Sequence, residues 1–199
     1  RSPDNPSDAY QYASAVVAHD RAIPVAQVAL SLAEVEAGSI GVAAPALEEH
    51  RAGLTAALWA SPYFTRFPAS LDPSPFATTV RFREPAPAAT PLPAWWPGAG
   101  GPLVYVSFGG VLGHMTRAAG AFRTALAAVA DVEARVLLTV GRAFDPAVLG
   151  PVPAHVHVER WVDLADVLAR ARLVVCHGGS GTTYGALAAG IPVVAVPMF

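Results

Sequence analysis

One run near the C-terminal end limits what this chain can fold into more than any other: Arg172-Leu-Val-Val-Cys-His-Gly-Gly-Ser-Gly-Thr-Thr-Tyr-Gly-Ala-Leu-Ala-Ala-Gly190. Leu173 to Cys176 is apolar without alternation, the pattern of a strand buried on both faces of a parallel sheet. Glycines follow at 178, 179 and 181. Thr182 to Ala189 then reads as a helix closed by Gly190, and Ile191 to Val196 as the next strand. Strand, glycine turn, helix and strand in that order predict an α/β fold with Rossmann-type parallel sheets.

The turn has a chemical use. The first amides of a helix lack partners within it and carry the positive end of its dipole. Glycines let an anion approach that backbone, and Ser180 or Thr182 adds a hydroxyl donor, so a phosphate is the natural guest. His177, at the strand's end, is placed to donate a further hydrogen bond. Other glycine motifs fail. A Rossmann fingerprint would need glycine where Tyr184 stands, a nucleophile elbow would need it at Thr182, and a P-loop needs a lysine, which the chain does not contain. Against these stands a tight turn that binds nothing; His177 at the strand end and threonine at the helix start favour phosphate.

His177-Gly-Gly-Ser-Gly-Thr, followed by Ala-Leu-Ala-Ala-Gly-Ile-Pro-Val-Val-Ala-Val-Pro197, resembles the donor-binding signature of nucleotide-sugar-dependent glycosyltransferases with the two-domain GT-B fold. The similarity is to the bacterial enzymes that decorate antibiotics and other natural products. It runs from about Leu103 to Phe199, and more weakly over the first half.

Composition excludes several function classes. Net charge is -2, which gives no reason to expect nucleic acid. All 13 basic residues are arginine and the chain is rich in Ala, Pro and Gly, which suggests a GC-rich, actinobacterial coding sequence. Cys176 is the single cysteine, so no intrachain disulfide forms, and a cytoplasmic location is expected. No apolar run approaches the roughly 18 residues that span a membrane. The chain begins without Met and stops just after a core strand, so it reads as an internal portion of a larger protein.

Three parts are expected: residues 1–82, part of an N-terminal acceptor-binding domain; 83–101, a proline-rich interdomain linker; and 102–199, most of a C-terminal nucleotide-sugar-binding domain. In the first part, helices are expected at Ala9 to Ala22 and Ala44 to Leu58, with a strand from Ile23 to Leu30. The aromatic stretch Trp59, Tyr63, Phe64 and Phe67 carries prolines that exclude a long regular element. It hints at an apolar acceptor. Trp95-Trp96 is expected to pack at the domain junction. In the last part, strands are expected at Leu103 to Phe108, Arg135 to Val140 and His155 to Val158. Helices are expected at Thr116 to Ala130 and Leu164 to Arg170.

The resemblance assigns residues as well. In the family a histidine near the true N-terminus is the general base, held by an aspartate four residues before a helix tyrosine. The base would lie upstream of Arg1, and Asp8, four before Tyr12, is the candidate for the aspartate, against the plainer reading that it caps a helix. Ser107 and Gly109 match the strand end and loop that face the donor's phosphates. Trp161, sixteen residues before His177, matches the tryptophan that stacks on the donor's base, and the backbone of Val162 would meet the base edge. The donor set is therefore Ser107, Gly109, Trp161, Val162, His177, Gly178, Gly179, Ser180, Gly181 and Thr182. Two positions depart from the pattern. Asp163 replaces the usual proline, and Gly185 stands where many uridine-diphosphate users carry a glutamate for the ribose hydroxyls. A thymidine-diphosphate deoxysugar is thereby favoured. The pair that reads the sugar's hydroxyls would lie beyond Phe199.

The resemblance thus implies an inverting glycosyltransferase with a small hydrophobic acceptor, no cofactor and no metal, acting without membrane or nucleic acid. The oligomeric state, a homodimer included, stays open. His155-Val-His157 is read as two histidines sharing a strand face rather than a metal site. Alternatives are a GT-B epimerase, a cell-wall glycosyltransferase, or a non-catalytic partner that activates a transferase.

Overall fold

The computed structural model describes the backbone of residues 7–83, 90 and 101–198, with side chains in the first helix from residue 12 onward. The chain divides into two compact units, residues 1–85 and 86–199. Most of the expected linker, including Trp95 and Trp96, lies outside the described residues.

The first unit contains α1 (Ser7–Asp20), β1 (Gln27–Val28), α2 (Ala33–His50), α3 (Leu54–Ala60), β2 (Tyr63–Thr65) and β3 (Thr79–Arg81). Its strands form a parallel sheet in the order β1-β2-β3. The strand expected over residues 23–30 is only two residues long. Its neighbour β2 has three residues, so the ladder has room for little more than Gln27 N–H to Pro62 and Ala29 N–H to Phe64, each 2.8 Å. The single helix expected over residues 44–58 is two helices. α2 starts eleven residues earlier, at Ala33, and runs on through Pro45. The chain then breaks at Gly53, whose φ of 87° suits glycine. Glu48 accepts from the amides of Gly53 and Thr55, both at 2.8 Å, and so supplies the cap that α3 lacks from its own N-cap residue.

The aromatic stretch corrects an expectation. Tyr63 and Phe67 are buried, and Phe76 stacks on both Trp59 (5.0 Å) and Tyr63 (4.2 Å). These rings build the unit's core beneath Ala33 and Ile40 rather than face an acceptor. Burial, with the nearby charges of Glu36 and Asp72, pushes the Tyr63 phenol up to about 12, so it stays protonated at neutral pH. Asp72 holds the start of α2, its carboxylate accepting from the Ala33 amide at 2.9 Å.

The second unit contains β4 (Leu103–Ser107), α4 (Ala118–Ala128), β5 (Arg135–Thr139), β6 (Val156–Glu159), α5 (Leu164–Leu168), β7 (Ala171–Cys176), α6 (Ser180–Ala188) and β8 (Val193–Ala195). All five strands are parallel, in the order β6-β5-β4-β7-β8. Alternation along β4 sends Val104 and Val106 to one face and Leu103 and Tyr105 to the other. On the first face Ala118, Phe122 and Leu126, four apart on α4, seal the sheet. On the second, Val167 of α5 and Ala186 of α6 do so. Burial on both faces explains why β4 reads as an unbroken apolar run. Each element expected in this unit is present, within two residues of the expected ends.

Candidate functional site

Sheet order fixes where a ligand can enter. From β4 the chain builds outward through β5 and β6, then returns to add β7 and β8 on the other side. The strand order therefore reverses between β4 and β7, and open α/β sheets bind ligands at the carboxyl ends of such a pair. Ser107 and Cys176 are register partners at those ends. The loops that leave them, Phe108-Gly109-Gly110 and His177-Gly178-Gly179, thus meet at one corner.

The His177 ring holds the two loops together. A side chain on Gly109 would lie 2.8 Å from its Cε1, and one on Gly179 would lie 2.4 Å from its Nε2. The Cε1–Nε2 edge therefore fills the space that either glycine leaves empty. Gly109 also has φ 76°, a conformation strained for other residues. Behind it, Gly141 (φ 88°) allows β5's loop to approach within van der Waals contact of Gly110. Ser107 is buried, and its hydroxyl faces its own loop, accepting from the Gly109 amide at 3.4 Å.

α6 begins at Ser180, two residues ahead of the expected Thr182, with Gly179 as its N-cap and no side-chain cap. The first amide bonded back along the helix is Thr183, to the Gly179 carbonyl at 3.1 Å. Thr183 Oγ1 also meets Cys176 Sγ at 3.5 Å, which ties the helix to the strand it leaves. Thr182 is half-buried, while Gly178 (φ 87°) and Gly181 have open space where a side chain would project. The corner is thus a helix start whose N-cap, Gly179, has no side chain, with an imidazole beside it and open space over Gly178 and Gly181, an arrangement suited to an anion.

Trp161 stands beyond the end of β6, 53% exposed, with the Arg142 guanidinium 4.4 Å from its ring centroid. Val162 is half-buried against the sheet. Asp163, the departure from the usual proline, caps α5: its carboxylate accepts from the Ala165 amide at 2.9 Å. α5 is also held by Thr90, whose amide and hydroxyl reach the Asp166 carboxylate at 2.5 and 2.8 Å. Gly185 faces α5, where a Cβ would come within 2.9 Å of Leu168 and 3.3 Å of Leu164.

Sequence reasoning missed three residues. Arg142 was visible only as the residue after Gly141, and its partner Trp161 lies beyond the end of another strand, β6. Asp163 carried an N-cap signal before a helix that was not used as one. Thr90 has no local signal. Asp8 lies in the first turn of α1, and its side chain is outside the described residues. His155 and His157 each have another partner, the Val129 carbonyl and the Glu159 carboxylate, both at 3.0 Å. Among the described residues no group of three or more His, Cys, Asp or Glu is placed to hold a metal, and no helix is long and apolar enough to cross a membrane.

Residues 123–199 match the family described as erythromycin biosynthesis protein CIII-like, C-terminal domain. That match lies within the second unit. The chain is 40% identical over 113 residues to demethyllactenocin mycarosyltransferase of Streptomyces fradiae, a match over 56% of this chain and 24% of that protein. The structure is similar to the spinosyn rhamnosyltransferase SpnG, with 25% identity, a TM-score of 0.70, and coverage of 93% of this chain and 50% of that one. It also shares its fold with the Streptomyces sp. SF2575 glycosyltransferase SsfS6 solved with thymidine diphosphate: 22% identity, TM-score 0.62, coverage 96% and 50%. The match, these similarities and the parallel sheets agree on an α/β fold shared with bacterial natural-product GT-B glycosyltransferases. The chain spans about half of those two solved chains, and its match covers about a quarter of the curated relative.

Proposed function

We propose that the protein containing this chain transfers a sugar from a nucleoside diphosphate to a hydroxyl of a small hydrophobic natural product, with inversion. One observation carries the reading: His177, the β4 loop and the glycine-led start of α6 meet at the switch point of the second unit's sheet. The diphosphate is the leaving group, and it gains negative charge as the bond to the anomeric carbon breaks. Amides, an imidazole N–H and a helix dipole fixed at that charge stabilise the transition state without reorganising, by several kcal/mol in comparable sites. This electrostatic set stands in for a metal, and none is invoked. Attack by the acceptor oxygen needs a base, assigned to a histidine upstream of Arg1 with Asp8 as its partner.

The donor is proposed to be a thymidine-diphosphate deoxysugar. Gly185 offers no carboxylate to a ribose 2′-hydroxyl, and the side it leaves open meets the tips of Leu164 and Leu168. The relative solved with thymidine diphosphate is compatible with this choice. A cytoplasmic location is proposed with it, since the one cysteine is buried and unpaired.

The test is binding and turnover of the whole protein. His177→Ala should raise the dissociation constant of the nucleoside diphosphate about ten-fold or more, the worth of one hydrogen bond to a charged group, and lower turnover as well. If neither changes, the phosphate assignment is wrong. Tight nucleotide binding without turnover for any acceptor would instead support a non-catalytic partner.

A further inference from the structure

Trp161 follows β6 and Arg142 follows β5, two paired parallel strands whose last partners are Thr139 and Glu159. Both side chains are exposed, yet the guanidinium carbon sits 4.4 Å from the indole centroid. A second pair joins the same loops, Arg160 to Asp145 at 3.8 Å, both well exposed and so of little energetic weight. An exposed tryptophan on a loop has two free torsions, and a stacking platform needs its plane fixed. A cation held against the electron-rich face of the ring supplies that constraint, and it leaves the other face for a flat partner.

We propose that Arg142 is a positioning residue for Trp161: its guanidinium covers one indole face and holds the ring so that the opposite face meets the donor's base. This rests on the reading of Trp161 as the base platform. Arg142 acts through the ring and not on the diphosphate, so its effect is the same whether or not phosphates are present.

The experiment uses the whole protein and whichever of thymidine or uridine diphosphate binds it more tightly, together with the matching nucleoside. Calorimetry gives both dissociation constants for wild type, Arg142→Gln, Arg142→Lys, Trp161→Ala and the double variant Arg142→Gln/Trp161→Ala. Arg142→Gln should weaken nucleoside and nucleotide by the same factor, about two- to five-fold, the range of an exposed cation–π contact. Arg142→Lys should restore most of that loss. In the Trp161→Ala background Arg142→Gln should change nothing. A loss confined to the nucleotide would place Arg142 on the phosphates and overturn the inference, as would an undiminished loss without Trp161. Should Trp161→Ala bind the nucleoside like wild type, the platform reading itself falls, and the inference with it.

Discussion

Gly109→Ala tests the corner most directly, because the methyl has nowhere to go. At φ 76° an alanine pays about 1–2 kcal/mol of left-handed strain. Its Cβ would also lie 2.8 Å from His177 Cε1, where carbon atoms settle at about 3.5–4.0 Å, so the ring must move by roughly an ångström. Gly150 is the control. It has φ 77° and ψ -150°, a backbone that glycine alone adopts readily, and open space around its missing side chain, so Gly150→Ala carries backbone strain without the collision. Thermal melts of the whole protein should show a loss of a few degrees or more for each variant. Titration with the nucleoside diphosphate should separate them. Gly150→Ala should bind like wild type, while Gly109→Ala should bind about ten-fold or more weakly, because His177 is driven off its hydrogen bond. Binding of the free nucleoside should be equal in both. If Gly109→Ala binds the diphosphate as tightly as Gly150→Ala, His177 does not act from this position and the corner has been misassigned.

Three further outcomes follow from the same geometry. Gly185→Glu should move the ratio of uridine to thymidine diphosphate affinity about ten-fold toward uridine, at a stability cost of about 1–3 kcal/mol for crowding Leu168 and Leu164; an unchanged ratio in paired titrations would remove Gly185 as the reason for donor choice. Gly181→Ala should raise the melting temperature, since alanine favours a helix by about 1 kcal/mol over glycine, yet weaken diphosphate binding by standing over open backbone; unweakened binding would show that no anion sits there. Hydrogen bonds from the Gly53 amide, then from Thr55, hold the Glu48 carboxylate below its usual range, so its stabilisation is present above the unfolded value of 4.5 and is lost in acid. Glu48→Gln should therefore melt below wild type at pH 7, by a gap that narrows as the pH falls below 4.5, and a gap that does not change with pH would contradict the capping role.

The second unit was legible because its central strands, β4 and β5, are buried on both faces. β4 and β7 are apolar runs with no alternation to misread, and glycines mark the loops that follow them. The first unit was less so. α2 contains Gly38, Gly41 and Pro45, three residues that argue against a helix locally, and it forms because Ala33, Ile40 and Leu47, seven apart, are buried. β2 lies within an aromatic run whose flanking prolines concealed it, and its burial depends on Phe76, far along the chain. At the site, the strand-end place of His177 and the glycine turn after it were legible in the sequence pattern, and Trp161 was singled out by the family resemblance. What Trp161 touches did not, because Arg142 reaches it only through the pairing of β5 with β6.

The turn's glycines were read together as room for an anion, but they divide into two kinds. Gly109 and Gly179 have no space to spare, since the His177 ring already occupies it. Their task is to let an imidazole lie against main chain from two loops at once, which fixes its nitrogens relative to both. Gly178 and Gly181 have nothing over them and are the places where backbone stays uncovered. In the proposed site one pair would orient the side-chain donor and the other would leave main-chain donors uncovered, and both follow the two strands where the sheet reverses order. Such an arrangement is fixed before any ligand arrives, and that preorganisation is what a developing charge on a departing diphosphate rewards.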